Sequence, residues 1–159
     1  MSDINKKILY IDLDGVIVDF ESGVKKLPDK HKVKYTERYD EAPGIFGIME
    51  PIPGAIDAVK RLSIHYDVFI LSTAPWNNHG AWSDKIKWVK KHFGKGDDNI
   101  FYKKMILSPR KDLNHGDILI DDRTKNGADN FKGELILFGS EKFKDWHTVL
   151  GYLIDNHNN

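Results

Sequence analysis

Residues 8–14 read Ile-Leu-Tyr-Ile-Asp-Leu-Asp, and Gly15 follows. No other stretch constrains the fold as much. An apolar, β-branched run of this kind is the mark of a strand buried on both faces of a parallel sheet. Strand interiors avoid Asp and Gly, so the strand ends where the acids begin. In open α/β sheets the carboxyl ends of strands open onto the ligand crevice. The two aspartates are therefore expected at a site.

Apolar runs alternate with amphipathic segments along the chain, the pattern of a Rossmann-like, three-layer α/β fold with a parallel sheet. The predicted strands are Lys7–Ile11, Asp67–Leu71, Ile100–Ile106, Ile118–Ile120 and Glu134–Phe138. Ile56, Val59 and Leu62 have helical spacing, with Pro53 just before them. A second helix over Trp82–Phe93 is expected to bury Trp82, Ile86, Val89 and Phe93, with Gly94 and Gly96 ending it. Arg123–Asn130 reads as a short turn or helix, Trp146–Ile154 as a closing helix, and the tail after Asp155 is expected to fray. Residues 20–50, roughly, are too long for a plain loop. Phe20, Tyr35, Tyr39, Ile45 and Phe46 give that stretch apolar mass, so it is read as a small, partly helical cap inserted after the first strand. All 159 residues are expected to form one domain.

Lys+Arg and Asp+Glu both number 24, a formal charge of zero. Such a balance argues against a surface for nucleic-acid polymer, which shows a basic excess. Lysine-rich segments near residues 25–34 and 85–95 read as solvated helix faces. The absence of cysteine excludes disulfides and thiolate metal sites. Met1–Lys7 lacks the apolar stretch of a signal peptide, and no run approaches the roughly 20 apolar residues that span a bilayer. A soluble cytoplasmic protein is expected, without a membrane partner; a homodimer stays open.

Four elements carry chemistry: Asp12-Leu13-Asp14-Gly15; Ser72-Thr73-Ala74-Pro75 after an apolar strand; Lys111 in a later loop; and Asp121-Asp122-Arg123 after Ile118-Leu119-Ile120. Singly, each has a plain structural reading: Asp and Thr as turn formers or helix caps, Lys as a solvated loop residue. Together, at the carboxyl ends of parallel strands, they converge on one crevice. One carboxylate can attack phosphorus and another can move a proton. Mg2+ takes hard oxygen ligands such as Asp12 and Asp122, while Thr73 and Lys111 suit the oxygens of a phosphoryl group in transfer.

This set resembles the haloacid dehalogenase (HAD) superfamily of phosphotransferases. More closely, the chain resembles the 5'(3')-deoxyribonucleotidase family, through residues 12–21, 50–55, 72–75, 85–89 and 119–123, which cover most of the chain between residues 8 and 123. The resemblance implies a magnesium-dependent phosphatase that hydrolyses nucleoside monophosphates through an aspartyl-phosphate. It implies Asp12 as nucleophile, Asp14 as general acid/base, and Thr73, the Ala74 position and Lys111 as phosphate-binding. It also implies Mg2+ held by Asp12, Asp122 and the Asp14 carbonyl, with Asp121 supporting Lys111. Phe20 and Phe46 match aromatic positions over the base; Lys85 and Arg123 match polar positions near substrate. Ala74 stands where animal enzymes of the family often have a second hydroxyl. Trp76 replaces a smaller aliphatic residue and would stack on, or narrow, the base site. The Ser108-Pro109-Arg110 stretch departs from the pattern, which leaves open whether Lys111 or Lys85 is the main phosphate lysine.

The seven histidines show no zinc-type pairing. Two other readings compete. A phospho-acceptor receiver domain uses the same ingredients but places its acidic pair first. An enzyme of the same fold for another small phosphorylated metabolite shares every catalytic residue.

Overall fold

The computed structural model describes residues 5–155. In chain order its regular elements are β1 (Ile8–Ile11), β2 (Val18–Asp19), α1 (Phe20–Lys26), α2 (Asp29–Lys34), β3 (Glu50–Pro51), α3 (Ala55–His65), β4 (Asp67–Ser72), α4 (Gly80–Phe93), β5 (Met105–Leu107), β6 (Ile118–Asp121), β7 (Glu134–Leu137) and α5 (Trp146–Leu153). Short 3-10 turns at Tyr39–Glu41, Ile45–Gly47, Lys111–Leu113 and Ala128–Asn130 complete the set.

Five strands make a parallel sheet in the order β5-β4-β1-β6-β7. β1 lies at its centre, with Ile11 beside Ile70 on one side and Ile120 on the other. Its neighbours explain why β1 is apolar on both faces. Leu9 and Ile11 join the larger core with Val68, Ile70, Ile120 and the inner residues of α3, α4 and α5. Tyr10 points the other way, into a smaller core with Leu71, Leu119, Ala128 and Phe131. Right-handed crossovers demand this asymmetry: the chain moves from β1 to β4 to β5 in one direction, then returns across β1 to β6 and β7. The second face is thus covered by the short connections around Lys111–Leu113 and Ala128–Asn130 rather than by long helices.

After β1 the chain turns tightly: the N–H groups of Val16, Ile17 and Val18 all donate to the Leu13 carbonyl, at 2.9–3.1 Å. It then leaves the sheet through β2, which pairs antiparallel with β3. This two-stranded stem brackets residues 20–49. Asp19 caps α1 through Ser22 N, and the Ser22 hydroxyl accepts from Glu50 N at 2.8 Å, which locks α1 onto the stem.

Three local expectations change. The strand predicted over Ile100–Ile106 is paired only at Met105–Leu107. Ahead of it the chain turns, with Tyr102 N donating to Asn99 O and Lys104 N to Phe101 O. Phe101 is spent on plugging the end of α4, edge-on to Phe93 at 5.1 Å. On α4 itself, Val89 and Phe93 are buried as expected, but Trp82 and Ile86 are 43% and 38% exposed. The inward face instead carries Ala81, Lys85 and Trp88, because the Trp88 indole N–H reaches the Met49 carbonyl at 2.8 Å. The closing helix ends at Leu153, one residue early. The expected fraying beyond Asp155 lies outside the described residues. Among the described residues, no helix is long and apolar enough to cross a membrane.

Candidate active site

The carboxyl ends of β1, β4 and β6 meet beneath residues 20–49 and open onto a cavity of about 1120 Å³. Asp14, Thr73, Ala74, Trp76, Asp122 and Arg123 line it from the sheet side, and Phe20 and Phe46 from the inserted side. Of the residues expected at a site, only Asp12, Asp121, Lys111 and Lys85 lie outside this lining, and all four are buried against it.

Asp12 follows β1, and its N–H extends the ladder to Ile120 O at 2.9 Å. Its carboxylate is nearly enclosed, at 4% exposure. Lys111 Nζ lies 3.3 Å from Asp12 Oδ1 and donates to Asp121 Oδ2 at 2.5 Å. The Lys111 main chain is pinned as well, donating to Asn126 O at 2.8 Å. Lys111 is therefore the lysine beside Asp12.

Lys85 occupies a different place from the one expected. It is 2% exposed and does not line the cavity. From the inner face of α4 its ammonium donates to Asp14 Oδ2 at 2.5 Å and to Ser72 Oγ at 3.2 Å, and lies 4.4 Å from the centre of the Phe46 ring. A buried ammonium needs such partners, and an acid at the end of the neighbouring strand supplies one. Lys85 is thus a partner of Asp14, one residue behind the cavity lining.

Thr73 stands at the end of β4 and donates its hydroxyl to Ser108 O at 2.8 Å. Phe20 and Phe46 are neighbours, with ring centres 6.1 Å apart. Trp76 lies on the rim, 92% exposed. Arg123 N donates to Asp121 Oδ1 at 3.0 Å. Sequence reasoning missed Asp40 and Asn126, both in the cavity lining. For Lys85 a signal was present: it shares a stripe with Ala81 and Trp88 at helical spacing, a charge set into an otherwise apolar face.

Carboxyl oxygens of Asp12, Asp121 and Asp122 lie within 4.8 Å of one another. Burial, reinforced by Asp121 and Asp14 and opposed by Lys111, pushes the Asp12 carboxyl up to about 7. Burial and the Asp121 charge push Asp122 up to about 6. Asp122 Oδ1 is buried with no hydrogen-bond partner. An orphaned oxygen among crowded acids is a donor set that fits a hard divalent cation. Asp14 contributes no carboxylate to this group, since Lys85 holds it.

A central parallel strand that delivers two aspartates, flanked by strands that deliver a threonine and an acidic pair, defines a hydrolase of the HAD fold. Solved structures share that fold: a haloacid dehalogenase-like hydrolase of Streptococcus pneumoniae (TM-score 0.55, 15% identity, covering 94% of this chain and 92% of that one), and a HAD-hydrolase of Bacillus subtilis, bound to magnesium (TM-score 0.59, 11% identity, covering 93% and 98%). The family model for "5' nucleotidase, deoxy (Pyrimidine), cytosolic type C protein" matches residues 22–152. A Vibrio phage KVP40 protein named as a 5'(3')-deoxyribonucleotidase is 54% identical over 149 residues, covering 94% of this chain and 85% of its own. The human cytosolic-type 5'(3')-deoxyribonucleotidase is 30% identical over 171 residues, covering 89% and 78%. The chain belongs to the 5'(3')-deoxyribonucleotidase family, a family of phosphoric monoester hydrolases.

Proposed function

We propose that the protein is a magnesium-dependent phosphatase that hydrolyses (deoxy)nucleoside monophosphates to nucleoside and phosphate through an aspartyl-phosphate. The single observation that carries this reading is the pairing of two adjacent acids with two different buried lysines: Asp12 with Lys111, and Asp14 with Lys85. One acid is held for attack and the other for proton transfer.

Asp12 attacks phosphorus with a carboxylate oxygen, and the bond from phosphorus to the sugar oxygen breaks. Asp14, entering this step with a proton on the oxygen that Lys85 does not hold, gives that proton to the sugar oxygen as the nucleoside departs. Water then attacks the acyl phosphate, Asp14 takes a proton from it, and phosphate leaves with Asp12 restored. Lys111, and Thr73 once its hydroxyl turns from Ser108 O, hold non-bridging oxygens of the phosphoryl group, where charge is greatest in transfer. Asp12 and Asp122 would hold Mg2+ with the Asp14 carbonyl, and the bound ion supplies charge neutralisation for the phosphate. The inserted residues act as a cap, with Phe20, Phe46 and the rim Trp76 offering flat faces to a base. Family membership and the zero formal charge support a small nucleotide rather than a polymer as the substrate, and the likeness to the cytosolic-type human enzyme supports the cytoplasm as its place.

A phosphate-release panel tests this. With Mg2+, deoxynucleoside 5'- and 3'-monophosphates are expected to outpace ribonucleotides and sugar phosphates, and EDTA to abolish turnover. Sugar phosphates turned over faster than every nucleotide would reject the substrate class.

A further inference from the structure

Tyr39 and Asp40 form part of the cavity wall on the inserted side, yet their segment is a single 3-10 turn, Tyr39–Glu41, with no strand to hold it. A side chain from the sheet side does so. Asn78 is 5% exposed, and its Nδ2 donates to Asp40 O at 2.9 Å and to Ala42 O at 3.1 Å. Two carbonyl acceptors require two N–H donors on one nitrogen, which the carboxamide supplies. Asn78 is itself fixed. Its N–H donates to Pro75 O at 3.3 Å, and its carbonyl accepts from Ala81 N at 3.0 Å at the start of α4. Beside it, the Asn77 carboxamide donates to Glu41 Oε1 at 3.0 Å. Neither asparagine lines the active cavity; both border a separate cavity of about 470 Å³.

Thr73 and Asn78 belong to one loop, so the same few residues line the cavity at one end and carry the anchor of its opposite wall at the other. We propose that Asn78 is a positioning residue that sets the Tyr39–Asp40 wall against the Thr73 loop. It thereby governs binding of the part of the substrate beyond the phosphate, and leaves the phosphoryl chemistry unchanged. This rests on the reading of the cavity as a monophosphate site.

The test compares a deoxynucleoside 5'-monophosphate with phenyl phosphate, whose leaving group is much smaller than a nucleoside. Asn78→Ala, and Asn78→Asp, which keeps the shape but loses both donors, are expected to raise KM for the nucleotide by roughly tenfold or more. Under the proposal kcat is retained, and kcat/KM for phenyl phosphate stays within about threefold of wild type. Asn77→Ala removes a single exposed side-chain contact, to Glu41. It is expected to raise the nucleotide KM by about two- to threefold, and it decides the matter if neither Asn78 variant folds. Parallel losses on both substrates, or a nucleotide KM unmoved in every folded variant, would overturn the proposal. Wild-type enzyme that cleaves phenyl phosphate but no nucleotide would instead reject the substrate reading, and this role with it.

Discussion

Gly15 occupies a backbone position with φ of +80°, and a Cβ built there would overlap Asp122 Oδ2. The glycine after Asp14 thus meets two demands at once: a left-handed turn out of the sheet, and close approach of β1's loop to the acid after β6. A side chain pays roughly 1–2 kcal/mol for that φ alone. Gly15→Ala is therefore expected to lower stability by at least about that much and to displace Asp122. Thermal melts and a Mg2+ titration check this: the variant melts lower and requires more Mg2+ for half-maximal activity. An unchanged Mg2+ requirement would show that Asp122 is not the group displaced. The two buried lysines carry a second lesson of the same scale. Lys111 comes from the connection that recrosses the sheet and Lys85 from α4, so adjacent acids one residue apart meet cations from unrelated parts of the chain.

Among the elements, α4 decides how the inserted residues sit. Its inner stripe of Ala81, Lys85 and Trp88 faces Phe46 and Met49 through the Lys85 ammonium and the Trp88 indole. Trp88→Phe removes one donor and orphans the buried Met49 carbonyl, at an expected cost of about 1–3 kcal/mol. Hydrogen exchange should quicken around residues 45–50 before it does so in the sheet; equal acceleration in both would contradict a local role. The strands were readable because an apolar run that ends in acid has few other meanings, as at Ile8–Asp14 and Ile118–Asp122. The face of α4 was not. Trp82, Ile86, Val89 and Phe93 form one acceptable stripe and Ala81, Lys85 and Trp88 the adjacent one, a single residue out of phase. Residues far away in sequence, Phe46 and Met49, choose between them. Phe101 shows the converse, an apolar residue in a strand-like run that caps a helix end instead.

Across the molecule, positive and negative charges balance, but not locally, where Asp12, Asp121 and Asp122 crowd together. Asp12 titrates near 7 and Asp122 near 6 when folded, against 3.8 ordinarily. The folded state therefore holds more protons than the unfolded state from about pH 4 to pH 7. Stability from these two groups is full below that window and is lost as pH rises through it. His92, lowered by burial, works in the opposite direction near its ordinary value, so the metal-dependent increment is the cleaner readout. Mg2+ is expected to raise the melting temperature more at pH 7.5 than at pH 5, because it must compete with protons for the same oxygens. An increment independent of pH would contradict binding at these carboxylates.

The central claim is that phosphoryl transfer passes through the Asp12 side chain. Borohydride reduction of the enzyme during turnover of a deoxynucleoside monophosphate, followed by peptide mass spectrometry, tests it directly. The expected result is conversion of residue 12 to homoserine in the wild type and none in Asp12→Asn, which should also release no phosphate. Active hydrolysis by Asp12→Asn, or reduction at any other carboxylate, would contradict the account.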